Sequence, residues 1–266
     1  MTAFDPRFSR YARQMVLPGI GAQGQARLAS SKVSLVGCGA LGCAIADSLV
    51  RAGVGELRII DRDIVEETNL QRQCLFDEDD ARAGATKVEA AVKRLSRVNS
   101  AVVLDPLAED VGPSNAESAV LSCRPDVIID GTDNFNTRYL LNDLAVKHQL
   151  PLIYGGIIGM RGVAAPILPE TGPCLRCIAP DAPSAGSMPT CETAGVLGSA
   201  VQIAANIQAS IALRLLSGAK ITPVMVDFDV ERMEFNNRDI SSLRDEACPC
   251  CVAKNYEFLN RTSADE

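Results

Sequence analysis

The stretch VSLVGCGALGCAIADSLV, Val33–Val50, decides the fold that this sequence predicts. It opens with apolar, β-branched residues, which are typical of a strand buried in a parallel sheet. Gly37, Gly39 and Gly42 follow as a G-x-G-x-x-G turn, and the remainder has helical periodicity. A glycine turn between a strand and a helix lets the backbone approach a phosphate at the helix N-terminus. The stretch therefore indicates a nucleotide, most often NAD; the alternative is a glycine turn with no ligand.

Strand and helix patterns alternate on both sides of this stretch. Strand patterns occur at 32–37, 56–61, 101–107, 126–134 and 151–156. Helix patterns occur at 40–53, 84–99, 114–123 and 136–150. We expect Ser114 to cap the third of these helices. The alternation predicts an α/β fold with a doubly wound, Rossmann-like, mostly parallel sheet.

The alternation ends after Gly156. Residues 155–173 alternate between apolar and polar with glycine turns, which predicts an antiparallel hairpin, and 223–236 predict two final strands. Residues 179–190 have the composition of a crossover loop. The pattern at 193–218 predicts one long helix, apolar on nearly all sides and buried, with a subunit interface as one possible setting. We expect a single domain over 1–266, made of a helical lead-in (1–31), a nucleotide-binding half (32–156), a second half (157–251) and a polar, partly frayed tail (252–266).

Composition narrows the class of protein. Hydrophobic residues make up 47% of the 266 positions, which is enough to build a sizeable core. The formal net charge of −7 argues against binding to nucleic acid by bulk electrostatics. The polar start lacks the apolar region of a signal peptide, and charges interrupt every apolar run before it reaches membrane-spanning length. We expect a cytoplasmic protein with no membrane or nucleic-acid partner.

Polar side chains cluster after the predicted strands and at one helix start. An acid at the end of the second strand is placed to bind a ribose hydroxyl. Arginine and lysine hold phosphate oxygens, and a carboxylate can hold Mg²⁺, whereas hydride transfer needs none of them. Each could singly be a solvated surface residue, but their joint placement favours ATP over NAD. The residues are Asp61, Asn69, Arg72, Lys87, Asp133 and Asn134.

The ten cysteines include two CxxC pairs. Cys174 and Cys177 form the first pair, and Cys248 and Cys251 form the second, with Cys250 between them. Two such pairs suit tetrahedral Zn²⁺ with four thiolates, which predicts a C-terminal zinc knuckle that ties the tail to the hairpin. A redox CxxC is the alternative, and Cys250 could replace one ligand.

One further cysteine stands apart from these pairs. Cys191 lies between the predicted loop and the long helix, where a thiol near a helix N-terminus could act as a nucleophile. A small buried filler is the alternative. The single histidine, His148, lies on a helix, and a surface or core role is the expectation.

Several motifs occur together in a fixed order. The sequence resembles the ThiF/MoeB/HesA family, the bacterial relatives of ubiquitin-activating enzymes, from Arg7 to Cys251. One departure is Ala40, where many members of that family have glycine. The matching motifs are RYARQ (10–14), LPGIGAQGQ (17–25), VGCGALG (36–42), DRDIVEETNLQRQ (61–73), GATKVE (84–89), DGTDN (130–134) and the two CxxC pairs.

The resemblance implies a homodimer that binds ATP and Mg²⁺. Such an enzyme adenylates the C-terminal glycine of a small ubiquitin-like sulfur carrier that ends in Gly-Gly. It also implies that Arg13 reaches the neighbouring subunit's site, that Asp133 organises Mg²⁺, and that Cys191 occupies the crossover-loop position. The implied catalytic residues are Asp133, Arg13, Arg72, Lys87 and Cys191. The implied nucleotide-binding residues are Gly39, Ala40, Gly42, Asp61, Asn69, Gln71, Arg72, Lys87, Asp133 and Asn134, and the implied zinc ligands are Cys174, Cys177, Cys248 and Cys251.

The resemblance leaves the pathway open. Residues 157–251 would bind the carrier, and no rhodanese domain follows, so a separate persulfide donor, of cysteine desulfurase or rhodanese type, would supply sulfur. One alternative is an enzyme of the same superfamily that activates a tRNA-borne carboxylate, against which the acidic net charge counts. Another is a non-catalytic nucleotide-binding scaffold. An NAD-dependent dehydrogenase ranks last, because no catalytic base or substrate domain is evident.

Overall fold

One eight-stranded sheet organises the chain. The structure is a computed structural model that describes residues 6–182 and 191–261. The strands are β1 Lys32–Val36, β2 Glu56–Ile60, β3 Val103–Leu107, β4 Val127–Asp130, β5 Leu152–Ile158, β6 Arg161–Ile167, β7 Val224–Asp229 and β8 Glu234–Asp239. Their spatial order is β3-β2-β1-β4-β5-β6-β7-β8. The first five are parallel, and β6, β7 and β8 continue the sheet antiparallel. The predicted sheet is confirmed.

Helices cover both faces of this sheet. They are α1 Ala12–Met15, α2 Gly21–Ser30, α3 Ala40–Ala52, α4 Glu78–Ala83, α5 Lys87–Val98, α6 Ala116–Leu121, α7 Phe135–Lys147, α8 Leu175–Ile178, α9 Cys191–Ala194 and α10 Gly198–Leu216. One buried cluster joins α2, α3, α5 and α10 to the sheet. A second cluster joins α6, α7 and the C-terminal cysteines to the opposite face. Apolar burial on both faces is the arrangement of a doubly wound fold.

The glycine turn after β1 is required by close backbone contacts. Gly37 has φ +92°, and a Cβ there would lie 2.7 Å from the carbonyl of Gly131. A Cβ on Gly42 would lie 1.9 Å from the carbonyl oxygen of Gly37, so α3 can begin this close to β1 only with glycine at position 42. The turn therefore brings the loops after β1 and β4 into contact at one edge of the sheet.

Two helix predictions are wrong in detail. Ser114 does not cap α6, because the N-cap is Asn115, and the Asn115 side chain accepts from the N–H of Gly112 instead. The helix predicted at 193–218 is interrupted between α9 and α10. Gly195 has φ +71°, and Gly159 and Val196 form an isolated β-bridge that pulls this segment onto the sheet. One face of α10 is buried within the chain, and Ile203, Ile207 and Ile211 are partly buried, so burial of this second face at a subunit interface stays a prediction.

The expectation of a frayed tail is wrong for the residues up to 261. Phe258 and Leu259 are buried in the second cluster. The ring of Phe258 lies 4.8 Å from the Tyr139 ring, and Arg176 pairs with Glu257 at 2.9 Å. The tail is thus held against α7 and α8. In the described part of the chain, no helix has the length and hydropathy needed to cross a bilayer.

Candidate functional site

A cavity of about 660 Å³ opens where β1, β2 and β4 end. Val36, Ile60 and Gly131 form its floor, so it lies outside the carboxyl ends of parallel strands at the switch point of the sheet. We call this the first cavity. The predicted residues that line it are Gly39, Ala40, Asp61, Asn69, Arg72, Lys87, Asp133 and Asn134. A volume of this size suits a small-molecule ligand such as a nucleotide.

Asp61 ties the end of β2 to the glycine turn. One carboxylate oxygen accepts from the N–H of Cys38 at 2.7 Å, and the other accepts from the N–H of Asp63 at 2.8 Å. Burial raises the pKa of Asp61 above its ordinary value, and nearby Lys87 opposes part of that rise. The carboxylate is held rigidly and retains acceptor capacity toward the cavity.

Lys87 begins α5 and extends its ammonium toward the same edge. Its side chain is 8% exposed, and Nζ lies 2.7 Å from Oδ2 of Asp63. Burial lowers the pKa of Lys87, but the hydrogen bond with Asp63 and the charge of Asp61 outweigh it, so the pKa lies above its ordinary value. Lys87 therefore keeps its charge in a partly buried site, which suits a phosphate contact.

Asn69 and Arg72 lie on and just after a 3₁₀ turn, Glu67–Asn69. The side chain of Asn69 accepts from the N–H of Glu66 at 3.2 Å, which fixes this buried residue. Arg72 donates to the carbonyl of Thr68 at 2.8 Å and lines the cavity with the rest of its guanidinium. The long polar loop after β2 is thus folded so that an amide and a cation face the first cavity.

The loop after β4 carries the two remaining predicted residues. Asn134 is the N-cap of α7 and accepts from the N–H of Asn136 at 2.8 Å, so its oxygen has a structural role. Asp133 is exposed to the cavity, and within residues 6–182 and 191–261 its carboxylate has no ion-pair partner. A carboxylate in that position fits a divalent cation that accompanies a triphosphate.

Among the described residues, three that were predicted for the site do not line the first cavity, namely Gly42, Gln71 and Arg13. Gly42 is packed against Gly37, and exposed Gln71 directs its carbonyl toward the start of α10. Arg13 is exposed near the end of α1 and does not belong to the described wall of the cavity. The backbone of Cys191 begins α9, but its side chain lies outside the described residues. Since α9 has only four residues, the expected helix N-terminus offers little to that thiol.

The structure adds two residues that were not among the predicted site residues. Asp63 and Arg138 line the first cavity beside the predicted cations. Beneath them, Asp130 is 1% exposed and lies 3.4 Å from Nε of Arg138. Burial raises the pKa of Asp130, and the charge of Arg138 counteracts that rise. In the sequence, Arg138 lies inside the helix pattern at 136–150, where no local signal distinguished it.

A second cavity of about 640 Å³ adjoins the first along β5 to β8. Apolar side chains from Phe135, Ile158 and Phe228 line it together with arginines at its rim. Arg161 pairs with Asp229 and Arg238 pairs with Asp227, at 2.8 and 2.9 Å. The wall also includes residues of β8, which is the edge strand of the sheet. We call this groove the second cavity.

The four cysteines of the two CxxC pairs meet at one point. Their sulfurs all lie within 4.8 Å of one another, with pairwise distances of 3.8, 3.6 and 3.5 Å for 174–177, 174–248 and 177–251. Tetrahedral zinc with bonds of about 2.3 Å places its sulfurs about 3.8 Å apart, and a disulfide requires about 2 Å. Burial raises the pKa of Cys177 to about 11. The donor set fits zinc, which would fix the tail to α8.

Cys250 is excluded from this group by its own contacts. Its thiol lies 3.2 Å from a carboxylate oxygen of Asp143, and Asn142 donates to its sulfur at 3.4 Å. The other carboxylate oxygen of Asp143 accepts from the N–H of Phe258 at 2.8 Å. The geometry therefore favours the four predicted ligands, while Cys250 anchors the tail to α7.

The sheet, the glycine turn and the charged cavity define a nucleotide-binding enzyme of the Rossmann-like class. More particularly, the chain belongs to the ThiF family, whose family model matches residues 11–250. It is an adenylyltransferase. The resemblance drawn from the motifs is confirmed.

Two relatives and one solved structure illustrate the similarity. The chain is 41% identical over 258 residues to the sulfur carrier protein ThiS adenylyltransferase of Bacillus subtilis, covering 96% of this chain and 76% of that protein. It is 38% identical over 247 residues to the SAMP-activating enzyme E1 of Haloferax volcanii, covering 92% and 89%. Its fold resembles that of E. coli MccB crystallised with ATP, with a TM-score of 0.77 at 21% identity, covering 91% of this chain and 74% of that one.

Proposed function

We propose that this enzyme uses ATP to adenylate the C-terminal glycine carboxylate of a small ubiquitin-like sulfur carrier. One observation carries the proposal: a cavity with Asp61, Arg72, Lys87 and Asp133 on its wall opens directly onto a longer, partly apolar groove. A nucleotide fits the first cavity, and an extended peptide fits the second. The names of the relatives in Bacillus subtilis and Haloferax volcanii support this pairing of substrates.

In the proposed reaction, ATP bound in the first cavity reacts with the carrier C-terminus bound in the second cavity. A carboxylate oxygen of the carrier attacks the α-phosphorus of ATP, a new P–O bond forms, and the bond to the β-phosphate breaks. Pyrophosphate leaves with the electron pair, and the product is an acyl-adenylate. Negative charge grows on the phosphate oxygens, where preorganised cations stabilise the transition state. Arg72 and Lys87 supply that charge from the wall of the first cavity.

ATP arrives with Mg²⁺ as its counter-ion. Asp133 is assigned to hold it, because it is the one described carboxylate that lines both cavities and it pairs with no cation in residues 6–182 and 191–261. Asp61 is placed to accept from the ribose, and Gly39 and Ala40 leave room for the nucleotide backbone. Ala40 is partly exposed and packs its methyl group against the first buried cluster, so it does not fill the cavity.

We also propose that the active form is a homodimer. Arg13 is exposed on its own subunit and does not lie in the wall of that subunit's first cavity. Val16 and Leu17, next to it, are exposed apolar residues at 80% and 54%. Pairing of two copies would bury this segment and bring Arg13 into the partner's site as an additional cation.

The sulfur transfer that follows needs further components. The terminal sulfur of a persulfide on a separate donor protein attacks the acyl-adenylate, AMP leaves, and an acyl disulfide joins the carrier to the donor. A second thiolate then attacks the donor's sulfur, so that the S–S bond breaks, a thiocarboxylate leaves on the carrier, and a disulfide forms between the donor cysteine and that thiol. We propose that Cys191, in the crossover segment, takes part in this sulfur transfer. The four-cysteine site holds structural zinc. Because none of the nine described cysteines forms a disulfide, a reducing compartment such as the cytoplasm suits the protein.

Intact-mass spectrometry of the carrier tests the proposed reaction. We expect purified enzyme, MgATP and the ThiS carrier of Bacillus subtilis to yield carrier that is heavier by one adenylyl group. The matched control is the same carrier without its last glycine, which should remain unmodified. Adenylation of both forms, or of neither, contradicts the proposed function.

A further inference from the structure

One arginine lies where the two cavities meet. The walls of the first and second cavities share three residues, which are Asp133, Arg138 and Ile157. Arg72 and Lys87 line only the first cavity, and Arg161 lines only the second. Arg138 is therefore the single cation common to both walls among the described residues. In the proposed reaction, the carrier carboxylate must meet the α-phosphate at this junction.

The side chain of Arg138 is held in place from several directions. Nη2 donates to the carbonyl of Thr132 at 2.8 Å, and Nε lies 3.4 Å from the buried carboxylate of Asp130. The guanidinium also lies over the rings of Phe135 and Tyr154, at 4.9 and 5.7 Å from their centroids. A side chain that is 7% exposed and braced in this way loses little entropy when it binds a ligand.

The same guanidinium has donor capacity to spare. Nε makes no hydrogen bond that satisfies it, although it is buried. Nη1 has no hydrogen-bond partner in the described part of the chain, and Arg138 borders open space in both cavities. A guanidinium with a free Nη1 can donate a charge-assisted hydrogen bond to a carboxylate. Among the described residues, the buried Asp130 is the acid that forms an ion pair with Arg138.

We propose that Arg138 binds the C-terminal carboxylate of the carrier and orients it for attack on ATP. This inference rests on the proposed function. One carboxylate oxygen accepts a hydrogen bond from Nη1, and the other stays free to form the new P–O bond. Arg138 is thus assigned as a catalytic residue that touches the protein substrate, distinct from the cations that bind phosphate. Asp130 is a positioning residue that acts through it.

A binding cycle between enzyme and carrier variants tests this assignment. The probes are the ThiS carrier of Bacillus subtilis with its natural C-terminal carboxylate and the same carrier with a C-terminal carboxamide. Calorimetry in the presence of a non-reactive α,β-methylene ATP measures affinity without turnover. Wild-type enzyme should bind the acid at least about tenfold more tightly than the amide, as expected for a charge-assisted hydrogen bond. In Arg138→Gln that preference should fall to about twofold or less.

Arg161→Gln is the matched control, since it removes a guanidinium from the second cavity alone. It should change the affinity for both carriers by the same factor and keep the preference for the acid. An undiminished preference in Arg138→Gln overturns the assignment and shows that the side chain only braces the Thr132–Asp133 loop. If Arg138→Gln no longer binds the nucleotide, Arg138→Met decides, because methionine can keep the packing against Phe135 and Tyr154 but has neither a charge nor a donor for the carboxylate. A full preference in that folded variant also overturns the assignment.

Failure of the proposed function gives a different result. If the wild-type enzyme shows no carrier-dependent adenylation, the proposed function and this inference both fail. If the wild-type enzyme adenylates the carrier and the preference for the acid does not depend on Arg138, only this inference fails.

Discussion

The ammonium of Lys87 lies 2.7 Å from the carboxylate of Asp63 at the edge of the first cavity. The side chain of Asp63 is half exposed, whereas that of Lys87 is almost fully buried. The ion pair with Asp63 therefore keeps the Lys87 ammonium directed toward the cavity. Asp61 adds a second negative charge nearby and helps to keep Lys87 protonated. An incoming triphosphate can replace Asp63 as the partner of Lys87 at small entropic cost.

Lys87→Gln should therefore weaken ATP binding specifically. We expect the affinity for MgATP to fall by about 10- to 100-fold, because a charge-assisted hydrogen bond is lost, while the affinity for adenosine stays the same. Calorimetry with both ligands measures the difference. Lys93→Gln, on the exposed side of the same helix, is the control and should bind MgATP normally. An equal loss for adenosine and MgATP would show that Lys87 supports the fold and not the phosphates.

Asp61 should give nucleoside binding a pH dependence. Burial raises its pKa above the ordinary value, so it takes up a proton at a higher pH than an exposed aspartate does. Since the ionised form is the ribose acceptor, adenosine affinity should decline as the pH falls through that raised pKa. Asp61→Asn cannot titrate and should bind more weakly with a flat profile. Titrations with adenosine avoid the ionisation of phosphate, and parallel profiles for the two proteins would refute the role of Asp61.

Removal of one zinc ligand should release the tail. Cys174→Ser is expected to lower zinc from about one per chain to near none and to reduce the free energy of unfolding by about 4 kcal/mol, the contribution of a metal at a thousand times its Kd. Phe258 then loses its support, and limited proteolysis should cut the tail faster. Cys123→Ser, a buried cysteine outside the cluster, should retain its zinc. A zinc-free wild-type protein with the same stability would contradict the metal site.

Arg13 should act on the neighbouring subunit. Arg13→Ala alone and Asp133→Ala alone are expected to lose about 10³-fold or more of the adenylation rate. Co-expressed together, they should regain about a quarter of the wild-type rate, because half of the dimers pair one chain of each kind and assemble one intact site. Activity measured on the separated heterodimer checks this. A heterodimer as inactive as its parents would place Arg13 and Asp133 in the same subunit's site.

The features that could be predicted from the sequence are those that depend on residues close together in the chain. The glycine turn, Asp61 and the CxxC pairs are read from neighbouring residues, and backbone geometry then brings them to one edge or one point. Arg138 was missed because its role depends on contacts with Asp130 and Tyr154, which are not its neighbours in the sequence. Both partners lie in predicted strands, where they look like ordinary core positions. The break before α10 was missed for a similar reason, because Val196 forms a β-bridge with Gly159, which is distant in the sequence. Tertiary contacts of this kind override helix periodicity.

The packing of the C-terminal tail also depends on tertiary contacts that no sequence pattern indicated. The tail was expected to be polar and partly frayed, and no role was predicted for its segment NYEFL (255–259). In the structure, Phe258 packs against the ring of Tyr139, and its N–H donates to Asp143. Both partners lie on α7, more than a hundred residues earlier in the chain, and no pattern in the tail indicated them. The cysteine cluster holds the chain beside α8 at position 251, and Cys250 anchors it to Asp143 of α7, so both explain why the tail reaches this helix.

Pyrophosphate exchange tests the central claim most directly. The enzyme is incubated with ATP, Mg²⁺, labelled pyrophosphate and the ThiS carrier of Bacillus subtilis, and label entering ATP is measured. We predict exchange that requires the carrier, is lost in Asp133→Ala, and is absent with a carrier that lacks its terminal glycine. Exchange that proceeds without a carrier, or that survives at the wild-type rate in a folded Asp133→Ala protein, would contradict the account.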